Sequence, residues 1–320
     1  MNSCAVTIGF SAHHLEALPL LRASVQKHEA VVLEEPPSPN FRQMLDQSLS
    51  IEDYLMEVDP QFPKFDHAMC AMVRELCREG KSIYQVEPYL EMLLEIHELL
   101  AAGKTATDVL HIDGLKQVYL AERNATGALI GYYASIAKDP FEGVVERVKT
   151  FARADAMRLN LRAQLRAQAV FELTAKHDSL FVEAGYIHFT LFRHLRRRMS
   201  GRQNLSVEHL MRNRINSLGG KRLNLGPGDL LTLRFIFHRQ PSEALNNLQA
   251  ARSLIYIKLI ATEELVPDAC AAPHAEDEVK VNRLVDRLSF DDCAQIFDQV
   301  RLANRERALA VVEEFLQKRR

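Results

Sequence analysis

Apolar positions in the first third of the chain alternate between short β-branched runs and helical spacing. Ala5 to Phe10 (AVTIGF) is strand-like, with Gly9 near its end. Leu15, Leu18, Leu21 and Val25 then recur at helical spacing through Lys27, and Ala30 to Leu33 is again strand-like before Glu34-Glu35-Pro36-Pro37. Strand, helix and strand within about 35 residues is the signature of a βαβ unit with parallel strands.

Helical patterns follow over about residues 40–57 and 63–79, the second closing at Gly80 as a C-cap. Ser82 to Val86 reads as a third strand leading to Glu87-Pro88. Leu90 to Ala102, Thr105 to Ala121 and Thr126 to Lys138 are helical, and a long helix starts at Pro140 and runs to about Lys176. Ser179 to Glu183 is a fourth strand, stopped by Ala184-Gly185, with a helix over Phe189 to Met199. Ser206 to Met211 is the weakest strand pattern. Beyond Gly226-Pro227-Gly228 the pattern is helical, with Pro273 to Glu278 read as an acidic linker before a helical pair over about 279–288 and 291–318. The expected fold is α/β, a mainly parallel central sheet with a large helical insertion. Residues 1–225 are expected to form this core and 226–320 a helical C-terminal extension.

Composition adds little beyond an ordinary globular class: 47% hydrophobic and 26% charged residues, with a formal net charge of −2. No stretch approaches the roughly 18 consecutive apolar residues of a membrane span. The first residues lack a basic region, so no membrane association and a cytoplasmic location are expected. Cys4, Cys70, Cys77, Cys270 and Cys293 form no C-x-x-C pair and are expected to be reduced, with Cys70 and Cys77 packed on one helical face. Charge is unevenly spread: residues 1–100 carry 16 acids and 7 bases, residues 147–222 carry 5 acids and 16 bases. Arg158, Arg162 and Arg166 fall four apart, the spacing of a solvated or ion-paired helix face. Arg193, Arg196, Arg197, Arg198 and Arg202 have no accompanying nucleic-acid motif, so nucleic acid is not expected as a partner.

The candidate chemistry lies where the strands end. In an open parallel sheet, side chains leaving the carboxyl ends of the strands converge on one crevice. That rim receives His13 and His14 after the first strand, Glu34 and Glu35 after the second, Glu87 after the third, and Glu183 and His188 around the end of the fourth. Imidazoles and carboxylates suit hydrolysis, either by holding a divalent metal that acidifies water or by acting directly as general base. Gly185 is expected to let the backbone turn His188 back to the rim. Of Glu34 and Glu35, at most one is expected to face the site, because neighbours in an extended chain point to opposite sides. A bland alternative has His13 capping the following helix.

Together these segments resemble the superfamily that contains TraB and PrgY pheromone-shutdown proteins, Tiki proteases, ChaN and erythromycin esterases. The matching stretches are Ile8-Gly9-Phe10-Ser11-Ala12-His13, Val31-Val32-Leu33-Glu34, Arg153-Ala154-Asp155 and Phe181-Val182-Glu183-Ala184-Gly185-Tyr186-Ile187-His188. The first turn is G-x-x-x-H rather than the G-x-x-H of the Tiki group, which leaves His14 as an alternative to His13. The resemblance implies roles for His13, Glu34, Arg153 and His188 in catalysis, and for His13, Glu34 and His188 as metal ligands. Tiki members are metal-dependent proteases, erythromycin esterases open a lactone without metal, and ChaN is linked to haem, so the resemblance implies where a site lies better than which reaction it runs.

The expected function is hydrolysis of an ester, lactone or amide bond in a small-molecule or peptide substrate, with elimination or cyclisation as related outcomes. The alternatives are a non-catalytic protein that binds haem or another small ligand, and an interaction protein, a homodimer for instance, built on the C-terminal helices.

Overall fold

A computed structural model describes residues 4–58, 60–199, 204–221, 223–237, 242–268 and 271–319; Arg202 and Cys270 lie outside these. The chain runs β1 (Ala5–Ser11), α1 (Leu18–Val25), β2 (Ala30–Leu33), α2 (Phe41–Leu45), α3 (Ile51–Val58), α4 (Pro63–Arg78), β3 (Ser82–Gln85), α5 (Pro88–Ala101), α6 (Ala106–Leu110), α7 (Leu115–Ile136) and α8 (Phe141–Leu173). It continues with β4 (Ser179–Gly185), α9 (Thr190–Arg198), β5 (Leu205–His209), α10 (Arg212–Ser217), α11 (Pro227–Phe237), α12 (Glu243–Leu259), α13 (Pro273–Val285), α14 (Phe290–Val300) and α15 (Arg305–Lys318). The fold is α/β, as the sequence pattern predicts.

Contacts divide the chain into two compact units, and the division does not fall at residue 225. The first takes Met1–Leu115, Leu161–Asn213 and Glu264–Ala272; the second takes Lys116–Asn160, Arg214–Glu263 and Pro273–Arg320. Half of the expected helical insertion therefore belongs with the C-terminal helices.

The first unit holds a five-stranded parallel sheet of order β3-β2-β4-β1-β5. Strand burial follows this order. Nearly every residue of β1, β2 and β4 is buried, whereas the edge strands β3 and β5 are partly exposed. Both faces are covered, as parallel sheets require. Val31, Leu33 and Phe181 pack with α1, α2, α3 and α4, while Val6, Ile8, Phe10, Val32, Leu180 and Val182 pack with α9 and with Ala163, Ala167 and Val170 of α8.

Two local devices shape this unit. α4 begins with Pro63 in its first turn and ends in a Schellman turn, with Gly80 at φ +91°, Lys81 N–H donating to Leu76 O at 3.0 Å and Gly80 N–H to Cys77 O at 3.0 Å. Gly9 faces Phe181, and a Cβ on Gly9 would lie 2.1 Å from the ring's Cζ. Phe181 is fully buried in the central strand. Gly9→Ala is therefore expected to cost about 1–3 kcal/mol, the range for overpacking a filled core. Urea denaturation reads this, and Phe181→Leu added to Gly9→Ala should recover part of the loss; an unchanged midpoint in Gly9→Ala would refute the constraint.

The second unit is helical, with a core formed by Val144, Val145 and Val148 of α8, Leu254 and Ile255 of α12, and Phe297 of α14. The expected acidic linker at Pro273 is instead the first turn of α13: proline is accommodated where no intrahelical N–H is needed, and Glu276 complements the helix dipole. The expected final helix over 291–318 is two helices, because Asn304 accepts from the Arg307 backbone and starts α15 afresh. Among the described residues no helix is long and apolar enough to cross a membrane, and Cys70, Cys77 and Cys293 are free thiols.

Candidate functional site

At the carboxyl edge of the sheet the chain leaves three strands with a charged side chain each. His13 follows β1, Glu34 follows β2 and Glu183 sits near the end of β4. His13 Nε2 lies 2.8 Å from Glu183 Oε1. The other oxygen of Glu183 accepts the Glu34 N–H at 2.9 Å, so this one carboxylate joins all three strand ends. Glu183 is almost wholly buried, while 45% of the His13 side chain remains accessible.

Glu34 is the most heavily tied group. His188 Nε2 is 2.8 Å from its Oε1, and Arg162 donates to the same oxygen at 3.1 Å. Gly185 N–H donates to Oε2 at 2.7 Å, and Arg166 Nη1 stands 3.5 Å away. Burial alone would raise the Glu34 carboxyl, but the charges of His188 and Arg166, followed by Arg162, hold it well below the usual carboxylate range.

Arg166 is only 2% exposed and binds across the strand ends, its Nε donating to Val86 O at 3.0 Å and Nη2 to Glu183 O at 2.7 Å. Glu87, with no exposed surface, pairs with Arg162 at 3.0 Å and Arg166 at 4.0 Å. Burial raises its carboxyl against the pull of those two guanidinium groups.

A cavity of about 700 Å³ opens in front of this network. His13, Glu34, Glu35 and Glu183 line it, and Tyr54, Leu55, Phe62, Phe65, Leu90 and Leu94 supply apolar wall. His13 stacks on Phe65 with ring centroids 5.4 Å apart. The first turn of α4, which carries Phe65, is held by Glu264, whose carboxylate accepts the Lys64 and Phe65 N–H groups at 3.1 and 2.6 Å. Burial disfavours charge on His13, but the charge and hydrogen bond of Glu183, backed by Glu34 and Glu35, raise its pKa to about 9. Burial pushes the Cys70 thiol on the cavity wall up to about 12, which removes it as a nucleophile near neutral pH.

Several expectations need correction here. Glu34 and Glu35 both line the cavity, because the chain bends directly after β2 and strand alternation no longer applies. Glu35 Oε2 accepts from Gln85 at 2.9 Å, and burial raises its carboxyl. Gly185 does not need glycine's conformational freedom: an added Cβ would make ordinary contacts, 3.5 Å to His188 and 3.7 Å to Glu34, and what the site uses is its N–H. Neither histidine caps a helix through its ring. His14 occupies the cap position of the turn before α1 without a side-chain cap bond and meets Phe62 edge-on, while His13 turns to Glu183.

Arg153 is not in this cluster. It belongs to the second unit and lies over the Phe235 ring at 4.9 Å. Arg162 and Arg166 stand among the strand-end carboxylates instead, paired with Glu34 and Glu87. Their four-residue spacing was visible in the sequence as a stripe, yet nothing in that spacing revealed buried carboxylates opposite. Arg158, the first of the stripe, pairs with Asp155 and Glu122.

The metal-ligand set changes as well. Ligand atoms of His13, Glu34 and Glu183 lie within 4.8 Å of one another, whereas His188 stands behind Glu34 as its hydrogen-bond partner. Both Glu34 oxygens already accept from protein donors, and Arg166 places a permanent positive charge beside one of them. Such a carboxylate is a poor ligand for a resident divalent ion, since binding would bring like charges together in a buried place.

No family model and no solved structure matches this chain. It is similar to an uncharacterized protein of Archaeoglobus fulgidus. The two are 29% identical over 289 residues, which cover 90% of this chain and 96% of that protein. An alignment of that extent takes in both compact units.

Proposed function

We propose that this protein is a hydrolase that cleaves an ester, lactone or amide bond in the first unit's cavity by proton transfer between its own side chains. The observation that carries this reading is His13: its ring is held by Glu183 at 2.8 Å and is still open to a cavity large enough for a small molecule or short peptide segment.

With a pKa of about 9, His13 is an imidazolium at neutral pH. In that state it serves as general acid. Glu35, a carboxyl raised by burial in the same cavity, serves as base. Water attacks the acyl carbon while its proton passes to Glu35. The bond to the leaving oxygen or nitrogen breaks as His13 gives up its proton to that atom. Proton exchange from Glu35 to His13 through solvent restores the starting state. Arg162, Arg166 and His188, which do not line the cavity, hold Glu34 in place, and the Glu34 N–H in turn holds Glu183.

A panel of aryl and alkyl esters, lactones and amides tests the reading in two ways. Wild type should turn over at least one class, and dialysis against a chelator should leave that rate unchanged. Absence of turnover across the panel would sink the hydrolase reading, and a rate lost to chelator and restored by a divalent ion would sink the metal-free chemistry.

A further inference from the structure

We propose that the cavity selects substrates whose apolar body carries a protonated amine and turns away carboxylates and phosphates. This rests on the reading of the cavity as the reaction site.

The lining is unbalanced in charge. Glu34, Glu35, Glu57, Asp66 and Glu183 contribute five carboxyl groups, and neither lysine nor arginine is among the described lining residues. His13 is the sole group there able to carry positive charge. Two of the carboxylates are matched from behind or beside: Glu34 by Arg162, Arg166 and His188, and Glu183 by His13. Glu35, Glu57 and Asp66 remain; Glu35 accepts from the neutral amide of Gln85 and Glu57 from that of Asn40.

Asp66 is the best placed anchor. It is half-buried in the first turn of α4, beside Phe65 and the His13 ring. Burial raises its carboxyl against the Phe62 amide and His13, and Glu35 feels both Glu183 and Asp66 as like charges. An occupant bearing a cation relieves that crowding; an anion adds to it. The aromatic and aliphatic walls, Phe62 and Phe65 among them, require the rest of the occupant to be apolar. The exposed side of the cavity continues this character, since Leu94 and Val58 line it and are 51% and 43% exposed.

The test is calorimetric binding at pH 7 of three probes that share one body: 4-phenylbutylamine, 4-phenylbutanol and 4-phenylbutyrate, titrated into full-length wild type, Asp66→Asn and Glu35→Gln. The amine is expected to bind about tenfold more tightly than the alcohol, a typical gain for a charge-assisted contact in a sheltered site, and the carboxylate more weakly than both. Asp66→Asn should erase most of the amine's advantage while leaving the alcohol's Kd unchanged, and Glu35→Gln, equally isosteric, should erase part of it. Equal binding of the three probes overturns the proposal, as does an amine preference untouched by both variants or no saturable amine binding at all. None of these readouts measures turnover. A preserved amine preference with no hydrolysis of any ester, lactone or amide would defeat the hydrolase reading alone.

Discussion

His13→Gln is expected to lower kcat/KM for a hydrolysed substrate by about 10²- to 10⁴-fold, the usual contribution of a positioned proton-transfer group. Glutamine keeps a polar side chain of similar reach but cannot release a proton in the transition state. The pH dependence separates this from a packing effect. In wild type the acid must be protonated, so the rate should fall as pH rises through about 9. Glu183→Gln should shift that limb towards lower pH, because the carboxylate's charge and hydrogen bond are what raise the imidazole. The limb should be absent in His13→Gln. A wild-type rate that instead climbs through pH 9 would show that His13 works as a base.

The same pair links pH to folding. The His13 pKa is higher in the folded chain, about 9 against an ordinary 6.5, so its stabilising contribution is fully present below about 6.5 and is lost as pH rises through about 9. That contribution is moderated by solvent, since almost half of the His13 side chain is accessible.

Arg166→Met is expected to destabilise the fold by about 3–5 kcal/mol, the cost of leaving buried charges without their partner. Glu34 and Glu87, both buried, would lose a buried guanidinium, and the carbonyls of Val86 and Glu183 would lose their donors. Arg166→Lys should recover little, because one ammonium cannot reproduce the planar fork that reaches β2, the end of β3 and β4 together. Adding Glu87→Gln to Arg166→Met should return part of the stability by removing one of the stranded charges. Urea denaturation measures all three variants. A loss below about 1 kcal/mol in Arg166→Met, the range of a surface ion pair, would mean that the network is solvated and not the buried frame described above.

Much of the candidate site is legible in the sequence. β1, β2 and β4 announce themselves by dense β-branched and aromatic residues, and Gly80 and Pro63 mark helix ends through backbone preferences that act within a few residues. Placing His13, Glu34, Glu87, Glu183 and His188 near one rim needed only the assumption of a parallel sheet. Choosing among arginines was beyond that reading. Arg153 and Arg166 both lie on one long helix, and helical periodicity tells which residues share a face but not which unit the face belongs to.

The chain's local chemistry thus determined its strands, most of its helices and which polar side chains leave the strand ends, because alternation, β-branching, proline and glycine act on neighbouring backbone. Only the tertiary structure decided that β4 lies between β1 and β2, that Glu183 rather than His188 holds His13, that Glu35 turns into the cavity and that Arg162 and Arg166 meet Glu34 and Glu87. Those pairings join residues as far as 170 positions apart in the chain. Their partners are chosen by sheet order and burial, where an unmatched charge is costly, and neither is written in any short stretch of sequence.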